Sequence, residues 1–468
     1  MTEPANMNVQ TVQPGRAEPW CAANFEALEQ RLNGEFSSVV HGLRRDAMQR
    51  FNALGFPDTH DEEWRFTDVS PYVSIPYRPV LEPREPGISK SDLGKMVVRG
   101  LPGFRLVFIN GHFAPDYSVL PDAGNGLRVG SLASVMSTGI PGATDRPGMP
   151  GGLGRLGLNA AGDPLNPFTL LNTAFLQDGL FLKVPAGYAE ELPVYMLFYS
   201  TQDHEPFCTH PRNLIIAEEG ARVSVVEEYF GSGPHPYFTN SVTEIFAGRG
   251  AAVEFDRFQH ESESAFHVSS VYVRQEAGSS VTMNAVSYGS AMARHNVVSV
   301  LDGERAQCTL NGLSLTTGSQ HIDNHTTIDH VKPNCASHEL YKAILEGSSK
   351  GVFNGKIFVR RDAQKTDARQ TNKSLLLSDN ATIDTKPQLE IFADDVRCTH
   401  GATVGQLDED QVFYLRSRGM GLDDARDLLT NAFASDVLNR IRLEPLREHL
   451  QAILHVRLCK GRILAENR

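Results

Sequence analysis

Residues Thr243–Leu301 read TEIFAGRGAAVEFDRFQHESESAFHVSSVYVRQEAGSSVTMNAVSYGSAMARHNVVSVL, and this stretch decides the fold. Its segments rich in Val, Ile, Thr, Phe and Tyr are short, and Gly, Asp, Asn or Ser separates them. Short segments of this composition between turn residues are typical of β-strands. The segments are Thr243–Phe246, Ala252–Gln259, His267–Arg274, Ser280–Ser287 and Asn296–Leu301.

The same pattern extends from about Phe181 to Val404, and no helical periodicity interrupts it. A fold of alternating strands and helices is therefore excluded. A β-sandwich or barrel and a parallel β-helix both remain. Strand spacing near ten residues, without strong Asn-Gly hairpin turns, favours the parallel β-helix, although the pattern alone leaves both open.

Helical periodicity appears on both sides of the β region. Between Phe25 and Leu54 the apolar residues recur at steps of three and four, which predicts a helix that ends at Gly55. Gly34 and Gly42 weaken this helix, so we expect two helices or one bent helix.

The helical period returns after Asp408, with a short helix over Glu409–Arg418 and a last helix opened by Pro445. The stretch Met136–Asn166 is rich in Gly and Pro and is interpreted as a linker. The predicted fold class is therefore mainly β, with helical regions on either side. The expected domains are an N-terminal helical and mixed region with the linker (1–165), a β-helix core (166–405) and a C-terminal helical domain (406–468).

Composition excludes several classes of protein. The 468 residues are 41% hydrophobic and carry a net charge of −12, without a long basic run, which argues against a nucleic-acid binder. No apolar stretch approaches the roughly 20 residues that span a bilayer, and the N-terminus lacks a signal-peptide core. We expect a cytoplasmic protein that binds neither membrane nor nucleic acid.

Common cofactor motifs are absent from the sequence. The six cysteines are widely spread without a CxxC pair, which fits neither a disulfide framework nor a zinc site. Gly152-x-Gly154-x-x-Gly157 matches a dinucleotide motif by count, but no strand precedes it, so it is interpreted as loop composition.

Two sets of histidines invite a metal hypothesis. In the first set His321 and His325 would share a face of a strand, but the spacings do not match a zinc site, and polar surface strands are the favoured interpretation. The second set follows a Pro-rich connection and is interpreted as a surface turn. The sets are His321, His325, His330 and His338, and His204, Cys208 and His210.

The tract around Cys398 and His400 is more specific. The pattern predicts a strand over Val396–His400, so the two side chains project from the same face. Thiolate and neutral imidazole suit iron, iron–sulfur clusters or zinc. Two ligands cannot complete a four-ligand site, so the others would come from another chain or from exchangeable molecules. A buried cysteine beside a hydrogen-bonded histidine explains the pattern equally well.

The run Gly351–Met420 resembles the SufD side of the SufB/SufD family of iron–sulfur cluster assembly subunits. It contains the contiguous stretches DAQKTDA, DTKPQLEI, HGATVGQLD and FYLRSRG, and upstream DEEWRFT at Asp61–Thr67 is similar to the N-terminal motif of that family. The resemblance implies a right-handed parallel β-helix between two helical regions.

The resemblance also implies a function. A SufD-type chain is a non-catalytic subunit that pairs with its paralogue SufB, while the ATPase SufC docks on the C-terminal helical domain. The complex builds transient iron–sulfur clusters from iron and cysteine-derived sulfur, with SufD linked to iron acquisition. A reduced flavin has been associated with such complexes, and no motif here locates it.

Site residues transfer from the family by position. His400 matches a histidine that serves as a cluster ligand at the interface between the paralogues, and Cys398 matches a cysteine of less certain role. SufB carries a cysteine one strand earlier and a glutamate after the histidine, whereas Asn380–Lys386 has no cysteine and Gly401 follows His400. This chain is then an incomplete scaffold, and a homodimer through the same strand edge is a further expectation for the isolated chain.

Two alternatives remain beside the assembly subunit. One is a β-helix enzyme acting on carbohydrate, which typically uses aromatic platforms, whereas the two tryptophans, Trp20 and Trp64, lie outside the β region. The other is a purely structural partner subunit, in which His400 ligates nothing.

Overall fold

The computed structural model describes residues 18–32, 39–85, 87–120, 126–137, 166–201 and 205–463, with side chains up to residue 457. The Gly152–Gly157 motif and most of the interpreted linker lie outside these residues. The described helices are Pro19–Arg31, Val39–Leu54, Ser70–Val73, Lys90–Met96, Leu132–Ser137, Pro167–Ala174, Glu409–Ser417, Leu422–Leu438 and Glu444–Ile463, with short 3₁₀ turns at Glu62–Trp64 and Pro115–Tyr117. None of these helices combines the length and apolar character needed to cross a membrane.

Strands are the commonest regular structure in the described chain, at 42%. In chain order they are β1 (Arg78–Pro79), β2 (Phe104–Ile109), β3 (His112–Phe113), β4 (Arg128–Ser131), β5 (Leu180–Val184), β6 (Val194–Ser200), β7 (Phe207–Thr209), β8 (Arg212–Ala217), β9 (Arg222–Gly231), β10 (Tyr237–Ala247), β11 (Ala252–His260), β12 (Ala265–Gln275), β13 (Ser280–Tyr288), β14 (Met292–Leu301), β15 (Gln307–Thr316), β16 (His321–His330), β17 (Ala336–Leu345), β18 (Lys350–Val359), β19 (Asp367–Leu376), β20 (Thr382–Ile391) and β21 (Arg397–Gly405).

The strands form a solenoid of two facing sheets. Sheet 1 has the order β4-β5-β8-β10-β12-β14-β16-β18-β20, and sheet 2 has the order β3-β2-β6-β9-β11-β13-β15-β17-β19-β21. From β8 onward every described pairing within the two sheets is parallel, and consecutive strands alternate between the sheets over about 8 turns. The predicted parallel β-helix is confirmed, and a sandwich of antiparallel strands is excluded.

Pairing between successive turns joins residues whose separation in sequence varies from turn to turn. From β5 onward the separation ranges from 26 residues, between Phe266 and Met292, to 33 residues, between Phe181 and Leu214. Side chains that point inward therefore stack in rows along the solenoid axis, as Val253, Val281 and Cys308 do in sheet 2. These rows make the main hydrophobic core.

The N-terminal helices pack on the outer face of sheet 1. Phe238 of β10 and Phe266 of β12 stack there with ring centroids 4.5 Å apart, and Phe168 lies against both rings. The predicted interruption of the N-terminal helix is confirmed, since separate helices end at Arg31 and Leu54. Gly55 ends the second helix at φ +71°, a conformation that favours glycine.

The C-terminal helices pack on the outer face of sheet 2. Val437 and Leu438 join a cluster with Leu313 and Leu340 of the sheet. The buried Lys342 fastens the two layers, because its Nζ lies 2.8 Å from Asp436 Oδ2 and donates a 2.9 Å hydrogen bond to the Phe433 carbonyl oxygen. The hydrogen bond from Lys342 to the Asp436 carboxylate and the positive charge of Lys342 lower the pKa of Asp436.

Truncating Phe238 tests the packing of the N-terminal helices. Phe238→Ala is expected to lower the free energy of unfolding by about 3–5 kcal/mol, because it removes a fully buried ring. Phe413→Ala is the matched control; Phe413 is 72% exposed, so a change within about 0.5 kcal/mol is expected. Urea denaturation followed by tryptophan fluorescence measures both, since Trp64 belongs to the same cluster. Equal losses from the two variants would contradict this packing.

Candidate functional site

The last turn of the solenoid is uncovered. Among the described strands β20 pairs only with β18, and β21 pairs only with β19, so each leaves one backbone edge free. Three apolar side chains around this edge are exposed, Phe392 (60%), Val404 and Ile391. A long free strand edge beside exposed apolar side chains is typical of a surface that pairs with another chain. We call this surface the open end.

His400 and Cys398 lie on β21 at the open end. Their partners in register on β19 are Gln370 and Ala368, which are buried inside the solenoid, so both side chains project toward its axis. The prediction that they share a face is confirmed, with Cα atoms about 6.6 Å apart on a regular strand. His400 is exposed, whereas Cys398 is half-buried against the core.

The environment of Cys398 favours the protonated thiol. Partial burial raises the pKa of Cys398, and the nearby Asp367 acts in the same direction. The other described cysteine thiols are buried. A metal that binds Cys398 must therefore displace its proton, which makes the thiol a weaker candidate ligand than the exposed imidazole.

A polar row leads through the interior to His400. In sheet 2 the inward residues Met283 and Leu310 are followed, one per turn, by Glu339, Gln370 and His400. Gln370 Nε2 donates a 2.7 Å hydrogen bond to Glu339 Oε2. Burial raises the pKa of Glu339 to about 7. Sequence reasoning missed this row, because only the register shows which residues stack.

The first histidine set is not brought together. His321 and His325 share the outer face of sheet 1, as predicted, and His325 Nε2 lies 3.0 Å from Asp323 Oδ1. His330 points to the interior instead and hydrogen-bonds Ser337 at 2.9 Å. Within the part of the chain that the structure describes, no three or more His, Cys, Asp or Glu side chains are arranged to hold a metal ion.

The second set is buried where it is described, so the interpretation as a surface turn was wrong for those residues. Cys208 is buried, and His210 stacks on Phe175 with centroids 5.0 Å apart. Burial lowers the pKa of His210 to about 3, so its ring is neutral at physiological pH. His204 lies outside the described residues.

The DEEWRFT motif forms a strap across the outer face of sheet 1, defined here as Glu62–Thr67. The Arg294 guanidinium lies 3.6 Å from the Trp64 ring centroid, and its Nη1 donates to the Glu63 carbonyl oxygen at 2.8 Å. At the far side Lys386 Nζ of β20 lies 2.8 Å from Glu62 Oε1. The motif therefore fastens the N-terminal region to several turns at once, including the last one.

A cavity of about 370 Å³ lies under the strap. Its polar walls contact one another, since the Glu63 carboxylate lies 3.3 Å from both Lys356 Nζ and His325 Nδ1. The hydrogen bond with His325 lowers the pKa of Glu63 to about 2, so this carboxylate is ionised at physiological pH. Asn354 also lines the cavity, and its buried Oδ1 has no hydrogen-bond partner among the described residues.

Together these features define a class, a β-solenoid protein whose last turn is left open beside an exposed imidazole. Two family profiles match the chain. The one described as SufBD protein N-terminal region covers residues 21–196, and the one described as SUF system FeS cluster assembly, SufBD core domain, covers residues 198–433. The chain belongs to the SufBD family of iron–sulfur cluster assembly proteins.

Individual relatives agree with this family. The Iron-sulfur cluster assembly SufBD family protein slr0076 of Synechocystis sp. is 33% identical over 92% of this chain and 95% of its own. Iron-sulfur cluster assembly protein SufD of Escherichia coli is 29% identical over 88% and 92% of the two chains. Iron-sulfur cluster assembly protein SufB of Bacillus subtilis is 27% identical over 60% of each chain.

The thiol of Cys398 should react slowly for a partly accessible cysteine. Because its pKa is raised, the thiolate fraction at pH 7.5 is smaller than that of free cysteine, and alkylation by iodoacetamide should be slower. It should still be faster than at the buried Cys208 and Cys308. Peptide mass spectrometry over a pH series measures all three rates. A plateau of the Cys398 rate below pH 8 would contradict the raised pKa.

Proposed function

We propose that this chain is a non-catalytic subunit of a SufB–SufC–SufD type scaffold, in which His400 ligates the nascent iron–sulfur cluster at the interface with a SufB-type paralogue. The observation that carries the proposal is the exposed imidazole on a free strand edge at the open end. The Escherichia coli SufD, which matches nearly the whole chain, supports the SufD-type role. The proposal includes a role in iron acquisition, which the resemblance implies for a SufD-type chain and for which His400 is the exposed candidate ligand.

The ligand chemistry suits a cluster that is built and then released. One exposed imidazole and one half-buried thiol leave a four-ligand cluster incomplete on this chain. The remaining ligands come from the paralogue and from exchangeable molecules. A cluster shared between two chains is loosened when the chains move apart, so it can be passed to an acceptor protein. No described residue is assigned to the reduced flavin that the resemblance implies.

The paralogue is the partner that the open end fits best. Its edge offers two strands of nine and ten residues, β21 and β20, for pairing. A relative with a similar solenoid would present an equivalent edge, and SufB of Bacillus subtilis matches this chain over 60% of its length. Main-chain pairing of the two last turns, with Phe392 and Val404 covered, would place His400 within the interface. A homodimer through the same edge is the competing assembly.

The C-terminal helices are the proposed docking site of the SufC-type ATPase. The helix Glu409–Ser417 exposes Phe413 and Tyr414 side by side, and large exposed aromatic side chains are favoured anchors of protein interfaces. The ion pair of Lys342 with Asp436 ties the next helix to sheet 2. ATP-driven movement of the ATPase can therefore reach the solenoid through these contacts.

A carbohydrate-active enzyme finds no support in the described residues. Trp64 is buried under Arg294, and the Trp20 indole donates to the Val73 carbonyl oxygen, so neither ring forms a platform along the solenoid. The remaining alternative is a purely structural partner subunit, in which His400 ligates nothing. The next experiment distinguishes this alternative from ligation of the cluster by His400.

Removing the imidazole should abolish cluster assembly and leave the complex able to form. We expect His400→Ala, co-expressed with the SufB-type and SufC-type partners and purified anaerobically, to lose about tenfold or more of its bound iron and sulfide. His338→Ala is the matched control, because His338 is also exposed but lies on the outer face of sheet 2. Iron and sulfide analysis with absorbance spectroscopy measures the loss. Normal cluster content in His400→Ala would leave the structural-partner alternative.

Truncating the exposed aromatic pair should weaken binding of the ATPase. Phe413→Ala with Tyr414→Ala is expected to raise the Kd for the SufC-type subunit about tenfold or more, because interface aromatics often contribute more than 1 kcal/mol each. The control is Val39→Ala, which truncates an exposed side chain on the N-terminal helices. Isothermal titration calorimetry measures both. An unchanged Kd for the double variant would exclude this helix as the docking site.

A further inference from the structure

The side-chain oxygen of Gln370 is buried, and the packing of the fold does not explain why a polar atom lies there. The residue is 2% exposed, and its Oε1 has no hydrogen-bond partner among the described residues. Burying a carbonyl oxygen without a partner destabilises a protein. Such an atom can accept a hydrogen bond from a partner that arrives in another state of the molecule.

Glu339 fixes the direction in which that oxygen points. Gln370 Nε2 donates to Glu339 Oε2 at 2.7 Å, so the amide nitrogen faces β17. Above its pKa of about 7 the Glu339 carboxylate is ionised and can only accept, which prevents the amide from turning over. The carbonyl oxygen of Gln370 is thereby directed away from β17, the neighbour on one side of β19.

Gly355 makes room for the same amide on the facing sheet. A Cβ atom at Gly355 would lie 2.2 Å from Gln370 Nε2 and 2.8 Å from its Cδ, far inside van der Waals contact. The backbone of Gly355 does not have a positive φ. The space for the Gln370 side chain, rather than a turn conformation, therefore accounts for the glycine.

His400 is the neighbour of Gln370 on the other side of β19. The two residues are in register, and paired strands lie about 4.8 Å apart. An imidazole ring has an N–H group that can donate to an amide oxygen. In the described state the ring is exposed, and covering the open end would remove it from water.

We propose that Gln370 is a positioning residue for His400. When a partner chain covers the open end, the His400 ring donates one N–H to Gln370 Oε1, and the other ring nitrogen is left to face the partner. Hydrogen bonding of one ring nitrogen fixes the tautomer and orientation of a metal-binding histidine. The value of this contact for cluster binding rests on the proposed function, whereas the hydrogen bond itself does not.

A double-mutant cycle on heterodimer affinity, without iron or sulfide, tests the hydrogen bond. Gln370→Leu and His400→Ala should each raise the Kd for the SufB-type paralogue about fivefold, since each removes one hydrogen bond formed on docking. The double variant should be no weaker than either single one, because the contact is already lost. Ser374→Ala is the control; Ser374 lies on the same inner face of β19 but pairs with Val404.

Glu339→Met is a second test that leaves Gln370 in place. The Gln370 amide can then turn over, so Glu339→Met should raise the Kd for the SufB-type paralogue, as Gln370→Leu does. Adding His400→Ala to Glu339→Met should raise this Kd no further. Thermal unfolding followed by circular dichroism confirms that each variant is folded.

Additive effects of Gln370→Leu and His400→Ala, or unchanged affinity in both, would overturn the positioning role. That result is separate from the proposed function. Loss of clusters in His400→Ala with additive affinities rejects only the role of Gln370. Non-additive affinities with normal clusters in His400→Ala reject only the ligand role.

Discussion

Parallel, in-register pairing of successive turns is the constraint on which the rest of this structure depends. Each turn satisfies the backbone of the one before it, so the solenoid must end in two free edges. The edge near the N-terminus is reduced to the short antiparallel strands β3 and β4, of two and four residues. The other edge has β20 and β21, of ten and nine residues. Short edges resist pairing and long ones favour it, so the protein protects one end and leaves the other available.

Polar contacts add to the hydrophobic core in the last turns. The inward row of sheet 2 changes from Leu310 to Glu339 and then to Gln370 as it nears the open end. On the outside, Lys386 reaches the N-terminal strap, and Lys342 reaches the C-terminal helices. Both helical regions therefore contact the solenoid near the end that carries His400. Movement of either region can be transmitted to that end.

Local patterns were sufficient to predict part of this structure. The β-branched and aromatic segments predicted the strands, and the alternation of side chains along a strand placed Cys398 and His400 on one face. Contacts between turns could not be predicted, because from β5 onward the turn length varies from 26 to 33 residues. The stacking of Glu339, Gln370 and His400 depends on that register. For the same reason the burial of His210, against a helix distant in sequence, contradicted the expectation of a surface turn.

An exposed imidazole above a buried, unpaired amide oxygen is an arrangement with two states. Alone, the chain keeps His400 in water and leaves Gln370 Oε1 without a partner, which destabilises the last turn. Covering the open end gives Gln370 Oε1 a hydrogen-bond partner if the ring turns inward. Docking and orientation of the ring are then coupled, so the imidazole is aimed only while a partner is present. A ligand that is oriented by assembly also loses its orientation when the assembly opens. If His400 ligates a cluster as proposed, the movement that separates the chains would also release that cluster.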